Sequence, residues 1–181
     1  MTIETGLRPG EYLGLQWKDI DLETGSLSVR RAVKVRNGGG FYFTEPKTKK
    51  SRRSIPLSQT VIAALKAHKR DQLEESFKLG SDYQRNDLIF ANEIGVPILL
   101  GNLRGRHFDR ILKKVGLPLI RLYDLRHTTA TLLLSAGLNP KVVSERLRHA
   151  SIVLTLDTYS HVLPTMQQDA TEKIEKLMFG T

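Results

Sequence analysis

The chain has 181 residues, 28 of them Lys or Arg and 19 Asp or Glu, a formal balance of +9 with a pI near 9.9. That length suits one domain or two small ones, able to bury roughly 70% of the extended surface. The absence of cysteine excludes a disulfide framework, a thiolate metal site and a thiol nucleophile. No apolar run approaches the ~18 residues needed to cross a bilayer. The opening Met1-Thr2-Ile3-Glu4 also lacks a basic-then-apolar signal pattern, so a soluble cytoplasmic protein with polyanionic partners is expected.

In chain order, Thr5-Gly6-Leu7-Arg8-Pro9-Gly10-Glu11 places glycine and proline punctuation very early, which suggests that a segment normally precedes it. Leu13, Leu15 and Trp17 support only a short helix or turn. Ser26 to Val35 alternates as a strand with one wet face, Asn37 to Gly40 is a turn, Phe41-Tyr42-Phe43 resumes strand character, and Ser54 to Leu57 is a third strand. Between the last two, Lys47 to Arg53 carries five positive charges in seven positions. The economical reading is a small antiparallel sheet with a basic hairpin tip.

From Ser58 the period becomes helical, with Val61, Ile62, Leu65 and Leu73 on one face to about Lys78. Leu103 to Val115 predicts a helix with Phe108, Ile111, Leu112 and Val115 inward and Arg104, Arg106, Arg110, Lys113 and Lys114 outward. Asp124 is placed to cap a helix ending at Gly137. Asn139-Pro140 sets a cap residue before proline at the first helical position, and Val142, Val143 and Leu147 supply the buried face. Short helices follow over 152–161 and from about Thr165 to Met178. The pattern is mostly α with a small sheet near the front, an α+β chain read as one domain over 1–181 with no internal repeat.

The basic run has two readings: a hairpin tip kept soluble by charge, or contact with a phosphate backbone, where each cation displaces counterions. Arg104, Arg106 and Arg110 form a second basic group, and Arg121, Arg126, Arg146 and Arg148 a third. Arg8 has an exposed salt bridge to Glu11 as its plain alternative. Arg126 lies in the first turn of an apolar helix, where a guanidinium needs partners and where its planar fork fits a phosphate. His149 and Tyr159, taken singly, read as a helix-end cap and a packing residue. If two arginines, a lysine, His149 and Tyr159 converge, they form a metal-free phosphoryl-transfer site with the tyrosine as nucleophile. Neither an acidic cluster with two-metal spacing nor a glycine-rich phosphate loop is present.

Five segments in order carry a resemblance: Thr5 to Glu11; Pro46-Lys47-Thr48 with Arg52 to Leu57; Tyr123-Asp124-Leu125-Arg126-His127-Thr128; Glu145 to Ser151; and Thr155 to Val162. Together they resemble the C-terminal catalytic domain of tyrosine recombinases, in particular phage and integrative-element integrases. The resemblance implies that Arg8 and Arg126 clamp the scissile phosphate and that Lys47 is the general acid toward the leaving 5′ oxygen, with Lys49 as the alternative. It implies further that His149 binds a nonbridging oxygen and Tyr159 attacks. It also implies an orienting or structural role for Glu11 beside Arg8, and a more structural than chemical one for His127.

Two positions depart from the family. Tyr123 stands where a histidine is usual, and a phenol with a reference pKa near ~10 exchanges the nucleophile's proton less readily at neutral pH; Tyr123 is retained in the site as a phosphate contact. Arg148 stands where a glycine usually precedes the histidine. DNA contacts are assigned to Lys49, Lys50, Arg52, Arg53, Arg104, Arg106, Arg121 and Arg148.

The implied reaction is site-specific recombination or integration through a 3′-phosphotyrosyl intermediate, with neither cofactor nor metal. The implied partners are double-stranded attachment-site DNA, three further copies in a homotetramer, and accessory DNA-bending proteins, with no membrane. The 22 residues after Tyr159 are enough for a helix docking on a neighbouring copy or closing the core in cis. Relative to the family the chain reads as N-terminally truncated, without a core-binding domain, and weak DNA binding in isolation is expected. The alternatives are a non-catalytic DNA-binding remnant and, from another class, an RNA- or protein-binding scaffold.

Overall fold

The computed structural model describes residues 1–36, 40–45, 54–149, 151–158, 171–172 and 174–180. Two short helical turns open the chain: α1 (Thr2–Thr5) and α2 (Pro9–Leu13), joined through Gly6, the wholly buried Leu7, and Arg8. Five strands follow: β1 (Ile20–Asp21), β2 (Ser26–Ser28), β3 (Ala32–Val35), β4 (Phe41–Thr44) and β5 (Ser54–Pro56). β2 lies between β1 and β5, antiparallel to both, with Leu27 opposite Ile20 on one side and Ile55 on the other. These three side chains join Leu15, Leu57, Ile62 and Leu65 in the front core. Each buried aliphatic of this kind contributes about 1.5–3 kcal/mol relative to exposure.

The alternation over 26–35 predicts one strand, but the structure divides it. β3 leaves the sheet to pair with β4 in a separate ribbon, Val33 opposite Phe43 and Val35 opposite Phe41. The cause lies at the break, where the consecutive Arg30 and Arg31 both turn toward the buried Asp19 carboxylate. Two neighbours cannot face one acid and keep a period of two. The ribbon then seats directly on α2, where a Cβ on Gly10 would come within 2.9 Å of the Val33 carbonyl oxygen.

α3 (Gln59–Leu79) starts at Ser58, whose Oγ accepts from the Val61 N–H, and whose own N–H donates to Glu4, tying α1 to α3. Ile62 and Leu65 are buried as the period predicts, but Leu73 is 50% exposed. A 21-residue helix is about 31 Å long, whereas a three-residue strand spans about 10 Å, so α3 outruns the sheet that covers its apolar face. Its second half is held by polar contacts instead: Gln72 accepts from Trp17 Nε1 at 2.7 Å and donates to the Leu88 carbonyl at 3.0 Å.

α4 (Leu100–Asn102) passes through a π turn, Leu103–Phe108, into α5 (Asp109–Lys114). Leu112 is buried and Phe108 half-buried, but Ile111 and Val115, expected inward, are exposed. Within α5 Leu112 is the buried residue, so the helix offers the body a face too narrow to cover its flanks. The back core joins Ala130 and Leu134 of α6 (Asp124–Ser135) to Val143 and Leu147 of α7 (Pro140–Leu147). Asn139 caps α7 as predicted, its Oδ1 accepting from the Lys141 N–H at 2.8 Å. Val142 is exposed rather than buried, because Val143 and Leu147, four residues apart, already fill the seam with α6. α8 (Ile152–Thr158) packs on α7, and α1 on α6, with the Thr129 hydroxyl 2.7 Å from the Ile3 carbonyl. Residues 171–172 and 174–179 are helical. Among the described residues no helix is long and apolar enough to cross a membrane.

Candidate active site

The site forms where the α1–α2 joint, the first turn of α6 and the end of α7 meet. Gly6 closes α1 at φ 64°, where a Cβ would lie 2.3 Å from Leu147 Cδ2. That left-handed turn aims the Gly6 carbonyl at Arg126, whose Nη1 donates to it at 2.6 Å. Arg126 is the bulkiest wholly buried side chain among the described residues, 1% exposed, and its Nη2 donates to the Leu147 carbonyl. The partner that a buried guanidinium requires is thus main-chain oxygen contributed by segments 120 and 21 residues away in sequence.

Arg8 is the N-cap residue of α2. The Glu11 carboxylate accepts from the Arg8 backbone N–H at 3.0 Å and from Nη1 at 3.2 Å, and Arg8 Nη2 donates to the Arg148 carbonyl at 3.0 Å. The plain alternative for Arg8, a salt bridge to Glu11, is therefore present, but as a brace: Glu11 is buried while the Arg8 side chain stays 37% exposed. Both arginines rest on the C-terminus of α7, whose last carbonyls have no intrahelical partner and carry the negative end of the helix dipole. The chain turns there through Arg148 at φ 56°, ψ 54°.

His149 follows, its Nδ1 2.7 Å from the hydroxyl of Thr155 on α8, a residue with no exposed surface. Burial pushes the imidazole pKa down to about 4, with the Arg126, Arg8 and His127 charges adding to the shift, so His149 is neutral near pH 7. Arg8, Arg126 and His149 therefore share one electropositive corner, braced by the Glu11 carboxylate.

Tyr123 occupies the N-cap position of α6, 40% exposed, with its ring edge-on to His127 at 5.2 Å between centroids. Asp124 is the first helical residue rather than the cap. Its carboxylate accepts from the Arg121 N–H at 2.8 Å and from Arg121 Nη2 at 2.9 Å, which holds Asp124 below the usual carboxylate range. Arg121 is thereby occupied in an exposed fork at the head of α6. Arg104 and Arg106 are exposed on the π turn, Arg104 3.7 Å from Asp109. Lys47, Lys49, Lys50, Arg52, Arg53 and Tyr159 lie outside the described residues, as do the 37–39 part of the predicted turn and residues 159–170 of the predicted C-terminal helices.

Sequence reasoning missed two kinds of participant. The Gly6, Leu147 and Arg148 carbonyls carry no side-chain signal. Thr155 does carry one, a hydroxyl four residues before Tyr159 on the same predicted helix, but threonine in that position also reads as an ordinary helical residue.

The profile of the phage integrase family matches residues 1–166 of this chain. The chain belongs to the phage integrase family. Among relatives of this integrase-family chain, a XerC-like tyrosine recombinase of Caldanaerobacter subterraneus subsp. tengcongensis is 40% identical, over 96% of this chain and 47% of its own. The ICEBs1 integrase of Bacillus subtilis is 33% identical, over 96% and 46%. This chain therefore spans about half the length of those relatives. Among solved structures, the Tn1549 transposon integrase bound to transposon right end DNA superposes with a TM-score of 0.78 at 27% identity, covering 95% of this chain and 56% of that one. The catalytic domain of bacteriophage HP1 integrase shares the fold at a TM-score of 0.57 and 17% identity, over 99% and 81%. The fold is that of a tyrosine recombinase catalytic domain, mostly helical with a small antiparallel sheet.

Proposed function

We propose that residues 1–181 act as the catalytic domain of a site-specific recombinase that cleaves and rejoins duplex DNA through a 3′-phosphotyrosyl intermediate. The observation that carries this reading is the convergence of Arg8, Arg126 and His149 on the end of α7, with both guanidiniums locked by main-chain carbonyls. Cations fixed before substrate arrives stabilise the charge that grows on a pentacoordinate phosphorus without reorganising as it forms. Arg8 offers the accessible fork, Arg126 the buried charge behind it, and His149 a neutral ring.

In this reading the Tyr159 hydroxyl gives its proton to solvent, its oxygen attacks the scissile phosphorus, the bond from phosphorus to the 5′ oxygen breaks, and Lys47, or its neighbour Lys49, protonates the leaving 5′ oxygen to give the free 5′ hydroxyl. Tyr123, edge-on to His127, contacts the phosphate. Rejoining reverses the step with a 5′ hydroxyl from the partner strand, and the phosphotyrosyl bond conserves the phosphodiester energy. Lys49, Lys50, Arg52, Arg53, Arg104, Arg106, Arg121 and Arg148 supply backbone contacts. The assembled form is a homotetramer on two attachment sites, with accessory DNA-bending proteins and the exposed Ile174, Leu177, Met178 and Phe179 available to a neighbouring copy.

The test is binding and strand exchange measured together on duplexes from the ends of the source element. Salt-sensitive binding accompanied by exchanged strands supports the proposal. Salt-sensitive binding with no joined product, even when the chain is supplied with a family N-terminal half, favours a DNA-binding remnant. Salt-insensitive protein binding favours a scaffold.

A further inference from the structure

We infer that Thr155 is a positioning residue that fixes the tautomer of His149, holding its Nε2–H toward the scissile phosphate. Thr155 has no exposed surface, so water is not available to it, and its Oγ1 lies 2.7 Å from His149 Nδ1. A helical threonine often turns its hydroxyl back to the carbonyl four residues earlier, as Thr128 does toward Asp124 at 3.0 Å. Among the described residues Thr155 makes no such bond, and His149 Nδ1 is the polar partner recorded within reach of its hydroxyl. A buried donor left without an acceptor costs about 1–3 kcal/mol, so the hydroxyl donates and Nδ1 accepts.

A neutral imidazole carries one N–H, and the bond made by one nitrogen sets which. With Nδ1 accepting, the proton resides on Nε2. The ring is held neutral by its surroundings, since burial and the Arg126, Arg8 and His127 charges all disfavour a second proton. His149 therefore presents a donor to a nonbridging oxygen in the corner where Arg8 and Arg126 already present theirs. The opposite tautomer would aim a lone pair at the phosphate and repel it. Thr155 belongs to α8, the helix immediately before Tyr159 in sequence, so the element that sets the donor also leads into the proposed nucleophile.

The test reads the ring directly, in the full chain without DNA. Nitrogen-15 chemical shifts of the His149 ring report which nitrogen is protonated. The native chain shows the proton on Nε2, Thr155→Val, which keeps the shape and removes the hydroxyl, shows a mixture, and Thr155→Ser restores the native pattern. A native ring protonated on Nδ1, or a Thr155→Val spectrum identical to the native one, overturns the assignment. If Thr155→Val does not fold, the native tautomer and the Thr155→Ser spectrum still decide. The kinetic arm rests on the recombinase reading: single-turnover cleavage of nicked duplex falls on the order of tenfold in Thr155→Val and is rescued by Thr155→Ser. A native chain with the Nε2 tautomer and no cleavage on any nicked element end, even when joined to a family N-terminal half, supports the positioning role and sinks the strand-transfer reading, so the two failures are separable.

Discussion

Replacing Arg148 with glycine isolates a strain that the site carries. Arg148 adopts φ 56°, ψ 54°, a left-handed conformation that costs a residue with a Cβ about 1–2 kcal/mol. Glycine removes that cost but adds about 0.4–1 kcal/mol of chain freedom to the unfolded state, leaving a net gain of about 0.5–1 kcal/mol. An unfolding entropy of about 2.1 cal/mol/K per residue makes this worth roughly 1–3 °C in Tm for a chain of this length. The Arg148 carbonyl that receives Arg8 belongs to the main chain and survives the change. Arg148→Gly is therefore expected to unfold at higher urea with an unchanged m-value, while losing about one unit of salt slope if the side chain contacts phosphate. Paired urea and thermal melts on both chains check it, with DNA titration at several salt concentrations for the slope. A lower midpoint in Arg148→Gly would refute the claim that the left-handed turn is strained, and with it the account of how the end of α7 is shaped.

Arg126→Met leaves the buried Gly6 and Leu147 carbonyls without their donor; at about 1–3 kcal/mol for each unsatisfied group, chemical denaturation should show a loss of about 2–6 kcal/mol, along with loss of DNA cleavage. The folded His149 pKa, about 4 against an ordinary 6.5, means that the unfolded chain takes up this proton first. Its stabilising contribution is complete above pH 6.5 and drains away as pH falls toward 4. Urea midpoints of the native chain and His149→Gln should therefore differ less at pH 4.5 than at pH 7.5, with Arg126, Arg8 and His127 the charged groups facing the ring.

Much of this site was legible because its side chains are of kinds that few environments tolerate. Arg126 inside an apolar helix demanded partners, and Asn139-Pro140 announced the start of α7. The partners themselves were not legible, since the Gly6 and Leu147 carbonyls have no residue signature and reach Arg126 only when α1, α6 and α7 pack. Leu73, Ile111, Val115 and Val142 fit helical faces by spacing, yet exposure depends on how far a neighbouring element extends. A three-residue strand beneath a 21-residue helix cannot be read from the helix alone. The strand break after Ser28 likewise depends on Asp19, a buried acid whose claim on Arg30 and Arg31 competes with the sheet.

The central claim is covalent strand transfer through Tyr159, and trapping on a nicked duplex tests it most directly. A nick just beyond the scissile phosphate lets the cleaved 5′ end diffuse away and leaves any protein–DNA bond in place. The native chain, joined to a family N-terminal half where binding requires it, is expected to give a denaturation-resistant adduct whose DNA-bearing peptide contains Tyr159, and Tyr159→Phe to give none. An adduct on another residue, an adduct that persists in Tyr159→Phe, or salt-sensitive binding with no adduct at all would contradict the account.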